Sequence, residues 1–395
     1  MNVIDGQAGR VRYYSLIFYS LTINNILNII ILLILAGISI SALTNTGIFG
    51  KAKEAKDASE NAEKEQKQTL SEYAKELNKY TAQELTNDKV NKVLSETENT
   101  ILKDVNGNIF TLPAGFKITG DATTVDKGII IEDATVDSNG NATPTNGSQF
   151  VWVPVGKITK ADGTETTITL GRYDFDETTG AESAYSGDYV VEDTNDSSTL
   201  ENIEGKSFAK NITNFKNSVK ENRGYYIGRY EARTTTARND EGNALTQITE
   251  KGTDQVYNYV TQKQAAEQAQ GMYTSNNFTS DLMNSYAWDT AITFIQKCTD
   301  KTNYANQTSL NSSLLQTGTN TLTETNKIDK QCNVYDMASN VAEWTTETSN
   351  YYFDPCVSRG GIYGDSNYYT SFRIINDTSY SSYYVGFRPL LYVNV

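Results

Sequence analysis

The sequence contains no histidine. That absence excludes Ser-His-Asp triads, His-ligated zinc or iron, and imidazole acid–base catalysis together. Cysteine is scarce as well: Cys298, Cys332 and Cys356 are too few for a disulfide scaffold, and no two stand in CxxC spacing. They read as small buried hydrophobes in preference to a Cys332–Cys356 bridge, and their odd number leaves at least one free thiol. Basic residues are outnumbered, 34 Lys and Arg against 48 Asp and Glu, for a formal net charge of −14. A phosphate backbone needs a basic surface, so nucleic acid is excluded as a partner; the acid excess is spread along the chain and reads as a solvated surface. The last absence is local. Between Ile362 and Tyr384 there is no Lys, Glu, Gln, Met or Trp, in a stretch made largely of Tyr, Ser, Asn and Asp.

At 395 residues the chain is long enough for more than one domain. Residues 1–15 form an atypical leader. The run ILNIIILLILAGISISAL, extended back to Leu16, reads as a transmembrane helix over 16–43, since about 20 apolar residues cross a bilayer core. Positive charge flanks it on both sides, and the large acidic mass downstream suits the outside of the cell. Residues 44–82, rich in Ala, Glu and Lys, predict a stalk helix with i,i+4 pairs such as Glu60–Lys64 and Glu63–Lys67. The stretch Thr46-Gly47-Ile48-Phe49-Gly50-Lys51-Ala52-Lys53-Glu54 after LLILAGISISAL resembles the pilin-like surface proteins of Gram-positive gut bacteria. The Gly before the run and the Glu five residues into it, which that family uses for processing, are missing. From 83 to 148, short alternating runs separated by Asn106-Gly107 and Asn139-Gly140 predict a small β module. Asp104-x-Asn106-x-Asn108 and Asp137-x-Asn139-x-Asn141 lack the Gly and Glu of an EF-hand loop and read as turns.

From Gln149 onward the signals are widely spaced. QFVWVPVGKI and GYYIGRYEAR read as strands, and LMNSYAWDTAITFIQKC as an amphipathic helix with Leu282, Tyr286, Trp288, Ile292 and Ile295 on one face. Then come Asn340-Val341-Ala342-Glu343-Trp344, Arg359-Gly360-Gly361 and Gly386-Phe387-Arg388. In this order, residues 149–395 resemble the formylglycine-generating enzyme superfamily, which implies a variant C-type lectin fold. The fold class expected is therefore α+β: a C-type lectin-like C-terminal domain preceded by a long N-terminal helix and a small β module. The motif residues read as architecture: Trp344 in the core, Asn340 and Glu343 hydrogen-bonded within it, Arg359 and Arg388 as internal donors, Gly360 and Gly361 allowing close backbone approach.

Enzymatic chemistry of that superfamily loses its groups here. The family's cysteines follow the Arg-Gly-Gly strand, whereas residues 357–395 contain none, and its iron-dependent branch needs histidine. The same fold serves the variable proteins of diversity-generating retroelements, in which the adenines of AAC or AAT codons are mutagenised. Such codons cannot become Lys, Glu, Gln, Met or Trp, the set missing from 362–384. The resemblance therefore implies a non-catalytic, diversified binding segment. Its surface residues would be Tyr363, Asp365, Ser366, Asn367, Tyr368, Tyr369 and Ser371, then Asn376, Asp377, Ser379, Tyr380, Ser382, Tyr383 and Tyr384. Phe372 and Arg373 would pack inward. Tyr gives large amphipathic contact area with few torsions to freeze, and Ser and Asn give adaptable hydrogen bonds. An edge strand is the plainer explanation, in a chain with 26 tyrosines.

The function expected is thus a membrane-anchored protein that presents a diversified surface to an unknown protein or glycan on another cell, a phage or a host. A pilin-like structural subunit and a divergent enzyme are the alternatives. No cofactor is expected and no metal ligands are assigned; calcium stays open because the fold often holds it.

Overall fold

The computed structural model describes residues 48–187, 190–191, 203–236, 238, 240, 245–314, 329–351 and 353–395. The leader at 1–15 and the expected span at 16–43 lie outside these residues. The chain divides into two compact units, Met1–Leu77 and Asn78–Val395.

In the first unit helix α1 begins, Ile48–Thr81. Glu63 pairs with Lys67 at 2.7 Å, while Glu60 pairs back to Lys56 at 3.6 Å, not forward to Lys64. The expected cell-membrane location with a single pass is withdrawn. No helix among the described residues is long and apolar enough to cross a membrane, and α1 carries charge along its length.

The second unit is mixed helix and strand, mostly β. Its strands in chain order are β1 (Phe116–Thr119), β2 (Ile130–Val136), β3 (Ala142–Pro154), β4 (Val190–Val191), β5 (Gly224–Gly228), β6 (Phe278–Leu282), β7 (Ala342–Ser349), β8 (Cys356–Arg359), β9 (Arg373–Asn376), β10 (Val385–Phe387) and β11 (Pro389–Val393). They build a six-stranded sheet in the order β6-β11-β5-β3-β2-β1 and a five-stranded sheet in the order β4-β7-β8-β9, with β10 parallel to β7. Short two- and three-stranded pieces border these sheets.

The expected boundary at residue 148 falls inside β3. Asn139-Gly140, expected as a turn, closes the hairpin that feeds β2 into β3. Asp137 Oδ1 accepts from the backbone N–H of Asn139 and Asn141, both at 2.8 Å, and Asp104 does the same for Asn106 and Asn108 at 2.9 and 2.8 Å. Each carboxylate closes a turn upon its own backbone.

Three helices complete the unit: α2 (Ile212–Asn222), α3 (Gln262–Gly271) and α4 (Ser285–Cys298). Side-chain caps begin each one: Asn211, the Thr261–Gln264 capping box, and Asn284. Because Asn284 caps α4, Leu282 belongs to β6 and not to the helix. Helix α4 is also buried on nearly every side, not amphipathic, and this brings the polar Asp289 into the interior.

Two apolar cores result. One holds Trp152, Phe215, Tyr225, Tyr226 and Trp288 between the six-stranded sheet, α2 and α4. The other holds Tyr257, Val260, Leu282, Trp344, Cys356, Ile362 and Phe387, and Tyr368, Tyr380 and Tyr384 rest against it from outside. All three cysteines are free thiols: Cys298 and Cys356 are buried and Cys332 half-buried, so no Cys332–Cys356 bridge forms.

Candidate functional site

The C-terminal segment lies on a frame of buried charges. Asn340 has a left-handed backbone (φ 70°), a conformation asparagine tolerates. Its Nδ2 donates to the fully buried Glu231, which also accepts the Val341 N–H at 2.9 Å. Gly360 and Gly361 run directly over residues 337–338. A Cβ at Gly361 would stand 2.0 Å from the Ala338 carbonyl oxygen. Arg388 forks onto both oxygens of Glu343 and donates to the carbonyls of Gly228 at 2.9 Å and Tyr335 at 2.8 Å, tying β10–β11 to the core. Trp344 Nε1 donates to Val260 O at 2.9 Å.

A second frame pins the segment's middle. Arg359 on β8 and Arg373 on β9 are register partners. Both bind the same two acids: Arg359 meets Asp289 at 2.5 Å and also Glu347, and Arg373 meets Asp289 at 2.7 Å and Glu347 at 3.0 Å. Asp289 comes from α4 and Glu347 from β7, so one network joins both sheets' supports. Burial opposes charge on Glu347, but the guanidinium of Arg359, then that of Arg373, holds its carboxyl down at about 2; the same acids hold Arg373 above the usual arginine range. Breaking such a buried network leaves an uncompensated charge, at a cost of about 3–5 kcal/mol.

Apart from the buried Ile362, Thr370 and Ser371, the other side chains of 362–384 reach the surface in part or fully. Tyr383 is 42% exposed, and Tyr363, Tyr368, Tyr369, Tyr380 and Tyr384 are half-buried. Their rings touch one another: Tyr383–Tyr384 centroids lie 4.1 Å apart and Tyr363–Tyr384 5.1 Å apart. Tyr380 meets the edge of Trp344 at 6.2 Å. Ser366, Asn367, Asp377 and Ser379 are exposed, while Asp365, Asn376 and Ser382 are half-buried. Asp365 and Asp377 each close a small turn, accepting the backbone N–H of Asn367 at 2.9 Å and of Ser379 at 2.7 Å.

Two expected positions differ. Ser371 is buried, because the chain is strapped down there. Its N–H donates to Ala305 O at 2.9 Å, the Thr370 N–H donates to Gln307 O at 3.0 Å, and Trp288 Nε1 donates to Thr370 O at 2.9 Å. Phe372 does not pack inward beside Arg373. It is half-buried at the edges of Tyr368 and Tyr369, 5.4 and 5.0 Å away.

Sequence reasoning missed Asp289, Glu347 and Tyr259. Asp289 was signalled by an acid standing inside an apolar helix, whereas Glu347 lies in the Thr- and Ser-rich strand AEWTTETS, where an acid does not stand out. Tyr259 lies in the Tyr257-Asn258-Tyr259-Val260 alternation, whose other members point inward; its ring extends the surface, 6.1 Å from Tyr383.

No protein-family model matches the chain, and no curated protein matches it. Among solved structures, Treponema denticola variable protein 1 aligns at 13% identity and a TM-score of 0.32, covering 63% of this chain and 97% of that one. The Major Tropism Determinant M1 variant aligns at 14% identity and a TM-score of 0.28, covering 79% and 85%.

Proposed function

We propose that residues 362–384 form a diversifiable ligand-binding surface on a C-type lectin-like scaffold, of the kind used by variable proteins of diversity-generating retroelements. The observation that carries this reading is the division of labour within the segment. Arg373, Thr370 and Ser371 are bound into the interior, whereas the tyrosines and the Asp, Asn and Ser residues around them stand at the surface. Apart from Asn376, whose Nδ2 donates to the buried Ser358 Oγ at 3.4 Å, side chains there can change without unpairing a buried group. The restricted residue alphabet and the fixed Arg359 and Arg388 on either side support the same reading.

A divergent enzyme is the weaker alternative. Burial pushes the Cys356 thiol up to about 11 and Cys298 up to about 12, away from the thiolate a nucleophile needs.

The test is a library with NNC codons at the surface positions of 362–384 and with Thr370, Ser371 and Arg373 retained. Most members should fold with the parent's circular dichroism, and selection on unrelated target proteins should yield different binders. A library that is mostly unfolded overturns the reading.

A further inference from the structure

The face made by this segment has a definite charge. Within 362–384 the ionised groups offered to solvent are Asp365 and Asp377, because Arg373 is 9% exposed and bound to Asp289 and Glu347. Neither aspartate has an ion-pair partner among the described residues. The glutamate Glu204 is exposed beside Gly205, which packs against Thr378, so the neighbouring rim is acidic too.

The rings form one array with a member from outside the segment. Tyr259 lies 6.1 Å from Tyr383, Tyr383 lies 4.1 Å from Tyr384, and Tyr384 lies 5.1 Å from Tyr363. Tyr259 has a left-handed backbone (φ 52°), which a bulky residue adopts only when its surroundings enforce it. Here the enforcement is visible: its N–H donates to Ser382 O at 3.1 Å, and Arg238 holds the carbonyls of Asn258 and Tyr259 at 2.9 and 2.7 Å. Arg238 is itself only 4% exposed, so its charge fixes the loop and is not presented outward. Asp365 is held beside the array's Tyr363 by a tight turn in which its N–H donates to Ile362 O at 3.2 Å. The Tyr384 phenol is held above its ordinary value first by its hydrogen bond with Tyr383, and Asp365 adds to this. Burial, then Tyr384, Tyr383 and Tyr259, push Tyr363 up to about 12.

Resting on the binding-surface reading above, we propose that the partner of this face is a protein surface presenting arginine or lysine side chains, received among Tyr259, Tyr363, Tyr383 and Tyr384 beside Asp365. Tyrosine faces attract cations through the ring quadrupole, and an adjacent carboxylate neutralises the incoming charge. An acidic partner meets like charge from Asp365, Asp377 and a chain of net charge −14. Tyr259 is the fixed member: it lies outside 362–384, so it remains when the segment's residues change.

The test titrates the full chain with an oligoarginine peptide, an oligoglutamate peptide of equal length and a neutral oligosaccharide, by calorimetry at low and high salt. Oligoarginine should bind saturably, weaken with salt, and lose about fivefold in affinity in Tyr383→Ser and again in Tyr259→Ser. Asp365→Asn should flatten the salt dependence. Since any acidic protein attracts a polycation, the tyrosine variants decide the matter. Unchanged affinity in charge-neutral, folded Tyr383→Ser overturns the proposal, as does the absence of oligoarginine binding. Tyr259→Phe keeps the ring should the serine variant fail to fold, and it should bind like the parent. Oligosaccharide binding that depends on Tyr383, with none of oligoarginine, overturns the cationic partner and leaves the binding surface standing. A library that does not fold removes the surface itself.

Discussion

Arg373 and Tyr383 lie ten positions apart in the same compositionally narrow segment, yet they answer to different physics. Arg373 sits between Asp289 and Glu347, nearly sealed from water, with its guanidinium donating to both carboxylates. Tyr383 is 42% exposed and touches chiefly other tyrosines. One residue is specified by a buried partner that loses its countercharge if the arginine leaves. The other is specified by nothing beneath it. A single stretch of chain can therefore carry both the bolt and the face it fastens, provided the bolt is ionic and internal.

The sharpest way to break this contrast is to remove the anchor. Arg359→Ala or Asp289→Ala should lower unfolding stability by about 3–5 kcal/mol in a denaturant titration, because each strands a buried charge. Gly361→Ala belongs in the same class: its Cβ has no room over the Ala338 carbonyl.

A smaller effect separates the buried acids behind the face. Burial is the main cause that lifts Asp336 to about 8, and the nearby Glu231 carboxylate adds to it; burial likewise lifts Glu231 to about 7. These groups bind protons more tightly when folded, so their contribution is fully present below their ordinary values of 4.5 and 3.8 and is lost progressively as pH rises from there through 7 to 8. Glu347 works in the opposite direction: its contribution is present above its ordinary value and lost as pH falls toward about 2. Stability should therefore be greatest in mildly acidic solution and decline on both sides. Asp336→Asn should flatten the decline between mildly acidic and neutral pH, which melting temperatures across a pH series will show.

Smaller still are the surface changes. Ser366→Ala, Asn367→Ala or Ser379→Ala should alter stability by about 0.5 kcal/mol or less, measured by the same denaturant titration. Tyr383→Ser should reduce stability little more than these while reducing oligoarginine affinity.

The sequence made the framing motifs legible because each rests on local chemistry. Gly360-Gly361 marks a close approach, and Arg-bearing strands with no exposed role imply internal acceptors. It left those acceptors unnamed, because Asp289 and Glu347 meet Arg373 only through the packing of α4 and β7, far apart in the chain. The same gap misplaced Ser371. Nothing in Thr370-Ser371 announces that Gln307, Ala305 and Trp288 will bind their backbone. The turn at Asn139-Gly140 was legible for the same local reason as the framing motifs, but the length of the hairpin it closes was not, because that depends on the pairing of β2 with β3. Tyr259 escaped notice because Tyr257-Asn258-Tyr259 is a short run between Gln255 and Gln262, and it does not stand out in a chain with 26 tyrosines.

The measurement that bears most directly on the central division compares two variants by equilibrium unfolding. The double variant Tyr363→Ser/Tyr383→Ser should remain within about 1 kcal/mol of the parent, while Arg373→Ser should lose about 3 kcal/mol or more. Equal losses, or a larger loss from the tyrosines, would show that the rings are structural and that no free surface exists to diversify.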